Sequence, residues 1–381
     1  MNKIKILHCS DIHLGSKFRG LDDFKSSQRN IEIKNTFIET LNICHEEGVD
    51  VLLIAGDFFD SIYIDNITVN EIKHCMSKYK FKIVISPGNH DPFTSDSPYN
   101  SKWPDNVYIF KSNNVKYFHF EDINTRIFGN AFTNTYLKGE NINFEKDLAR
   151  ENSDTLDIGI FHAEVISAEK ENLYSPVTIE KIRSSRLDYI AFGHVHKRTP
   201  VQVIGKTSYS YCGCLEGRGF DETGDKGFYI GYISKGFVDL EFRTVCKRKY
   251  LDCTVNIGNC LNSLEACEKI NSKLKESFGE DFNRHFYRVT LIGEISDEYL
   301  LDVKDIEAKM NSVFYIRVID KTEPFLDLRS INLGTDLKSI FIKKMMSRIE
   351  GSVSAEEKII ENQALKIGLK AFMGEVKYSD N

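Results

Sequence analysis

Five short apolar-rich runs, KIKILHC (3–9), VLLIA (51–55), KIVIS (82–86), LDIGIF (156–161) and DYIAF (188–192), each stop at a cluster of polar residues: SDIHLG, GDFFD, GNHD, FHAE and GHVH. The runs read as buried strands. Helix-like segments separate the first three. Residues 26–47 place Phe37, Ile38, Leu41 and Cys44 near one helical face and stop at Gly48, and a second helix is expected around 66–79. Strand and helix in alternation make an α/β domain, and loops at strand ends are where such domains build sites. A plain turn after KIVIS needs only the glycine and prolines of PGNHDP, so Asn89, His90 and Asp91 require another explanation.

Shorter strand-like pieces follow Tyr99 (VYIF, VKYFHF, TRIFG), and residues 200–245 read as all-β with a turn-rich stretch, EGRGFDETGDKG. Near residue 246 the pattern changes to strand, helix (263–278), strand (286–293), helix (303–311) and strand (313–319), a small α/β module. Beyond Pro324 it turns helical, with Ser354 and Glu357 at capping-box spacing. The expected divisions are 1–245, 246–322 and 323–381. Apolar stripes Leu337, Ile340, Phe341, Met345 and Ile360, Ala364, Leu365, Ala371, Phe372 follow helical spacing, and such stripes usually face their own core.

Bulk properties narrow the function. The chain of 381 residues is 41% hydrophobic and 28% charged with a net charge of −6. It has no apolar run near the roughly 18 residues of a membrane span. The start lacks a signal peptide's apolar stretch, so a cytoplasmic location without membrane contact is expected. Nine cysteines without a CxxC pair read as reduced thiols, and the even spacing of Cys246, Cys253, Cys260 and Cys267 crosses several elements, so no zinc site is expected there. The acidic balance argues against nucleic-acid binding by the whole surface. Lys17 with Arg19, Lys197 with Arg198, and Lys247 to Lys249 are the local basic candidates.

The polar clusters together supply carboxylates, an amide and imidazoles, a donor mixture suited to Mn²⁺, Fe²⁺ or Zn²⁺. In order they are Asp11-Ile12-His13, Gly56-Asp57-Phe58-Phe59-Asp60, Gly88-Asn89-His90-Asp91, His162 and Gly193-His194-Val195-His196. This resembles the calcineurin-like metallophosphoesterases, whose pattern is DxH, GDxxD, GNH(D/E), a lone His and GHxH. The resemblance implies an α-β-β-α sandwich and two divalent metal ions: Asp11, His13 and His196 at one, Asn89, His162 and His194 at the other, with Asp57 bridging. Two such ions about 3.5–4 Å apart activate water and clamp phosphoryl oxygens. His90 then stands beside the metals as a donor to the leaving alkoxide, with Asp91 orienting and charging its ring. Asp60 either supports the ligands or is a plain surface residue.

The opening ILHCSDIHLGSKFRG, the GDFFD form and GHVHKR with the glycine-rich stretch after it resemble SbcD-type DNA repair exonucleases, in the YhaO-like branch; YCGCLEGR departs from that family's YPG-like wording. By layout, the later parts then become a small capping domain and helices that dock on an SbcC-type coiled-coil ATPase. The implied protein is a Mn²⁺-dependent DNA exonuclease or endonuclease of DNA repair, working as a homodimer. The alternative is a small-molecule phosphodiesterase or nucleotide phosphatase. A non-catalytic scaffold is disfavoured because no ligand is missing.

Overall fold

The structure is a computed structural model that describes residues 3–135, 142, 154–166, 175–296, 299, 301–324 and 336–372. It divides into two compact units, Met1–Lys249 and Tyr250–Asn381.

The first unit runs β1 (Lys3–Cys9), α1 (Asp23–Glu46), β2 (Val51–Ile54), α2 (Asn66–Met76), β3 (Lys82–Ile85), β4 (Val107–Ile109), β5 (Lys116–Phe120), β6 (Thr125–Gly129), β7 (Leu156–His162), β8 (Glu164–Ile166), β9 (Pro176–Thr178), α3 (Ile179–Ser185), β10 (Tyr189–Gly193), β11 (Gln202–Ile204), β12 (Thr207–Tyr211), β13 (Gly227–Ser234) and β14 (Phe237–Thr244). Two six-stranded sheets result, ordered β14-β13-β1-β2-β3-β4 and β11-β12-β10-β7-β6-β5.

Side chains alternate across a strand, and here both faces are buried. On the first sheet Ile4, Ile6, Val51, Leu53 and Val84 share a core with Ile127, Leu156, Ile158, Ile160 and Ala191 of the second. The intervening Leu7, Cys9, Leu52, Ile54, Ile83 and Ile85 pack on Ile33, Phe37 and Leu41 of α1 and Val69, Ile72 and Met76 of α2. On the outer face of the second sheet Phe161, Ile190 and Phe192 meet Ile182 of α3. The layers are therefore helix, sheet, sheet, helix, as the motifs imply. Asp22 and Asp65 cap α1 and α2 by accepting the N–H groups of Lys25 and Thr68 at 2.8 Å each. All nine cysteines are free thiols.

The second unit holds β15 (Tyr250–Asn256), α4 (Ser263–Phe278), β16 (Phe286–Ile292), β17 (Glu294–Ile295), α5 (Val303–Lys309), β18 (Tyr315–Asp320), β19 (Glu323–Pro324), α6 (Leu337–Gly351) and α7 (Ala355–Phe372). The parallel sheet β15-β16-β18 closes with α4 and α5 over its own core, including Val289, Leu291, Ile270 and Ile306. The pair α6 and α7 buries Ile342, Met345, Ile349, Leu365 and Leu369. The stripes are only half covered: Leu337 is 73%, Ile340 48% and Ile360 63% exposed. Ser354 accepts the Glu357 N–H at 3.0 Å, and the Glu357 carboxylate returns to the Val353 N–H at 3.0 Å, one residue earlier than a standard capping box.

Candidate metal centre

Strands β1, β2 and β3 are parallel, as are β7 and β10, so the five polar clusters sit at the carboxyl ends of their strands. Past those ends the β1–β2 ladder continues irregularly. Asp11 N–H donates to the Gly56 carbonyl, His13 to Asp57 and Leu14 to Phe58, each at 3.0 Å. The backbone is left-handed at Asp11 (φ 50°), His13 (φ 52°) and Asp57 (φ 48°), and φ is also positive at His194 (90°). Among the described residues eight non-glycine positions have positive φ, and these four expected ligands are half of them. Such conformations cost on the order of 1–3 kcal/mol each and persist where neighbouring bonds hold them. Glycine is required beside them for a different reason: a Cβ at Gly56 would lie 2.1 Å from His162 Nδ1, and one at Gly88 2.1 Å from Asp57 Oδ1.

The resulting donors converge. His13 Nε2 and His196 Nε2 are 3.4 Å apart, and His196 Nε2 lies 3.4 Å from Asp11 Oδ1. Donor atoms of Asp11, His13, Asp57 and His196 all fall within 4.8 Å of one another. Asp57 also faces the other set, with Oδ2 3.3 Å from His162 Nε2 and 3.7 Å from His13 Nε2. His162 Nε2 is 2.9 Å from Asn89 Oδ1 while its Nδ1 donates to the Ala55 carbonyl at 3.0 Å. The His194 ring stands edge-on to His162 at 5.1 Å, and its backbone N–H donates to Asp11. His90 remains exposed, its ring 4.8 Å from that of His13 and its N–H on Asp57 Oδ1 at 3.0 Å.

The charges of the cluster show what it demands. Burial by itself pulls His162 down, but the Asp57 carboxylate overrides it and lifts the imidazole to about 9. Burial likewise opposes charge on His196, and hydrogen bonds to Asp11 and Glu222 raise it to about 10. Burial would raise Asp57, yet the His162 and His13 rings hold it well below the usual carboxylate range. Burial, then the charge on His162, lower His194 to about 4. Buried carboxylates that keep protons on neighbouring imidazoles are asking for positive charge, and a divalent cation supplies it through the same lone pairs. The mixed oxygen and nitrogen donors fit such ions.

Residues 4–198 match the sequence pattern of the family described as calcineurin-like phosphoesterase. The chain belongs to this family. Members of this family are metal-dependent phosphoester hydrolases. A relative, the Bacillus subtilis (strain 168) protein named "Uncharacterized metallophosphoesterase YhaO", is 27% identical over 258 residues, 64% of this chain and 60% of that relative. The chain thus spans less than two thirds of the relative's length.

One expectation for this metallophosphoesterase is corrected. Asp91 does not orient the His90 ring. Its Oδ1 accepts the Gly88 N–H at 2.8 Å, and its Oδ2 accepts the Phe59 N–H at 3.0 Å and the Tyr99 hydroxyl at 2.5 Å. Fully buried, it joins the GNHD loop to the GDFFD loop instead. The His90 ring faces the Asp60 carbonyl, 3.1 Å from its Nδ1. The Asp60 carboxylate stands beside the ligands, 3.2 Å from His13 Nδ1.

Two residues of the centre escaped the motif reading. Glu222 Oε1 is 2.6 Å from His196 Nδ1, and Arg218 pairs with Asp60 at 2.9 Å and Glu222 at 3.3 Å. Both lie past the family match, inside the glycine-rich stretch after β12. Charged residues alternating with glycines, two strands beyond the last ligand strand β10, were the available signal.

Proposed function

We propose that the protein is a two-metal phosphodiesterase acting on DNA ends, a Mn²⁺-dependent exonuclease or endonuclease of DNA repair that works with an SbcC-type ATPase in the cytoplasm. The observation that carries the diesterase reading is an exposed His90 beside donors that are buried (Asp11, His13, Asp57, Asn89, His162) or half-buried (His194, His196). Bound metals would be held by Asp11, His13 and His196 and by Asn89, His162 and His194, with Asp57 between them, and would supply Lewis acidity and an activated water. Asp57 fixes the His90 backbone, so the imidazole can give a proton to the departing alkoxide of a diester, whose basicity otherwise keeps the barrier high. Gly56 and Gly88 permit the close approach of the ligands, and Asp91 holds the two loops that carry Asp57 and His90.

Exposed Lys17 and Lys197, a few residues from His13 and His196, support a polyanionic substrate. For the partner, the supporting feature is the uncovered face of α6 and α7 with Leu337, Ile340, Ile360 and Ile367. For a homodimer it is Phe24 and Ile31, two turns apart on α1 and 77% and 54% exposed. No helix among the described residues is long and apolar enough to cross a membrane. The acidic balance favours the second reading, a small-molecule phosphodiesterase or nucleotide phosphatase.

The test is incubation with linear duplex DNA and Mn²⁺, beside a nitrophenyl diester and a nucleotide monoester, with Asp57→Ala as control. Degradation of DNA by the parent and its abolition in D57A are expected. Turnover of the small esters alone would overturn the nuclease reading in favour of the second.

A further inference from the structure

The glycine-rich segment between β12 and β13 supplies the outer support of one half of the metal centre. We propose that Glu222, locked by Arg218, is the positioning residue that presents His196 Nε2 to a metal ion shared with Asp11 and His13; this rests on the metal reading above.

Glu222 is 5% exposed and every neighbour that the structure places on its carboxylate is a donor. Oε1 is 2.6 Å from His196 Nδ1 and accepts Arg218 Nη2 at 3.3 Å; Oε2 accepts the Arg218 backbone N–H at 2.7 Å and the Cys214 thiol at 3.6 Å. Holding the proton on Nδ1 leaves Nε2 as the nitrogen that would give up its proton and offer a lone pair when a cation binds, and it faces His13 Nε2 at 3.4 Å. Two imidazole nitrogens at that separation repel unless a cation or proton lies between them. Arg218 extends the arrangement, because its Nη1 binds Asp60 Oδ1 at 2.9 Å while Asp60 Oδ1 lies 3.2 Å from His13 Nδ1. One guanidinium thus spans the carboxylates behind both histidines of the same site.

The segment is itself fixed at its start. Glu216, 1% exposed, accepts from Arg29 at 2.8 Å and Thr36 at 2.6 Å, both on α1, and from the Lys247 N–H at 2.6 Å. Glutamine cannot replace Glu222 functionally. Its amide would point one N–H₂ at donors on either side of the carboxylate position, although its shape is the same.

The experiment titrates the full chain, stripped by chelation, with Mn²⁺, counting free ions by their six-line electron paramagnetic resonance signal. In Glu222→Gln one of the two ions should bind about 10–100-fold more weakly while the other is unchanged. Excess Mn²⁺ should restore most of the lost turnover, and the protein should stay folded in chelator, melting lower only by the roughly 5–15 °C that opposed buried donors cost. Arg218→Lys, which keeps the charge but loses the fork, should show the same effect more weakly. If the parent binds two ions and Glu222→Gln binds both equally well, the positioning role is overturned alone. A Glu222→Gln protein that loses affinity for both ions alike would make the role structural and also overturn it. Failure of the parent to bind Mn²⁺ would overturn the metal reading and this inference together.

Discussion

Replacing Asp91 by asparagine separates a loop-joining carboxylate from an acid-orienting one. The three donors on Asp91 are fixed: Gly88 N–H on one oxygen, Phe59 N–H and the Tyr99 hydroxyl on the other. Asparagine offers one accepting oxygen. Turned to serve Phe59 and Tyr99, it points its own N–H₂ at the Gly88 N–H, leaving opposed donors in a site with no exposure. An unmade buried bond costs about 1–3 kcal/mol, so a total loss of roughly 2–4 kcal/mol is expected. For a domain of this size that is a fall in melting temperature of about 5–15 °C. The variant also changes the pH profile. Burial, then the Asp57 charge, hold Asp91 up at about 7 against 3.8 in the ordinary chain, so the folded state binds this proton more tightly. In the metal-free protein, stability tied to the group is then fully present below 3.8 and is lost as pH rises to about 7. The asparagine side chain does not titrate, so the gap between parent and variant should narrow across that window. Turnover of diesters with alkoxide and with nitrophenolate leaving groups should fall by the same factor, because Asp91 does not touch the His90 ring. A variant as stable as the parent that loses rate only on alkoxide diesters would refute this reasoning and restore the carboxylate–imidazole pair.

His90→Ala should retain both metals by metal analysis and lose roughly 10²–10⁴-fold in rate on alkoxide diesters, with a smaller loss on nitrophenyl diesters; equal losses would mean His90 only shapes the site. Gly88→Ala places a methyl 2.1 Å from Asp57 Oδ1 and 2.6 Å from its backbone nitrogen. Mn²⁺ affinity should fall by about tenfold or more, and unchanged binding would show that the bridging carboxylate is not set by that approach. Deleting residues 330–381 removes α6 and α7, which share a small core of their own. Melting of the rest should move by only a few degrees and Mn²⁺-dependent hydrolysis should persist, whereas a drop of many degrees would show the helices to be part of the second unit's core.

The sequence alone marked most of the strands and helices and an ordered set of candidate donors. Buried strands and amphipathic helices write their periods into local residues, which is why β1, β6 and α4 stand within a residue or two of where KIKILHC, TRIFG and 263–278 place them. A ligand must be a particular atom type, so Asp11, His13, Asp57, Asn89, His162, His194 and His196 were readable as an ordered set. Tertiary structure decided where the supporting carboxylates point. Asp60 and Asp91 look equivalent in GDFFD and GNHD, yet one meets His13 and the other the backbone of Phe59 and Gly88, because left-handed turns at Asp11, His13 and Asp57 redirect the loops without any periodic trace. Glu222 reaches His196 across 26 positions of chain, a contact that only the folding of the glycine-rich segment over the strand ends creates. The same holds for α6 and α7: helical spacing marks Ile340 and Met345 alike, but which one is covered depends on the face the neighbouring helix occupies, and that is a property of packing.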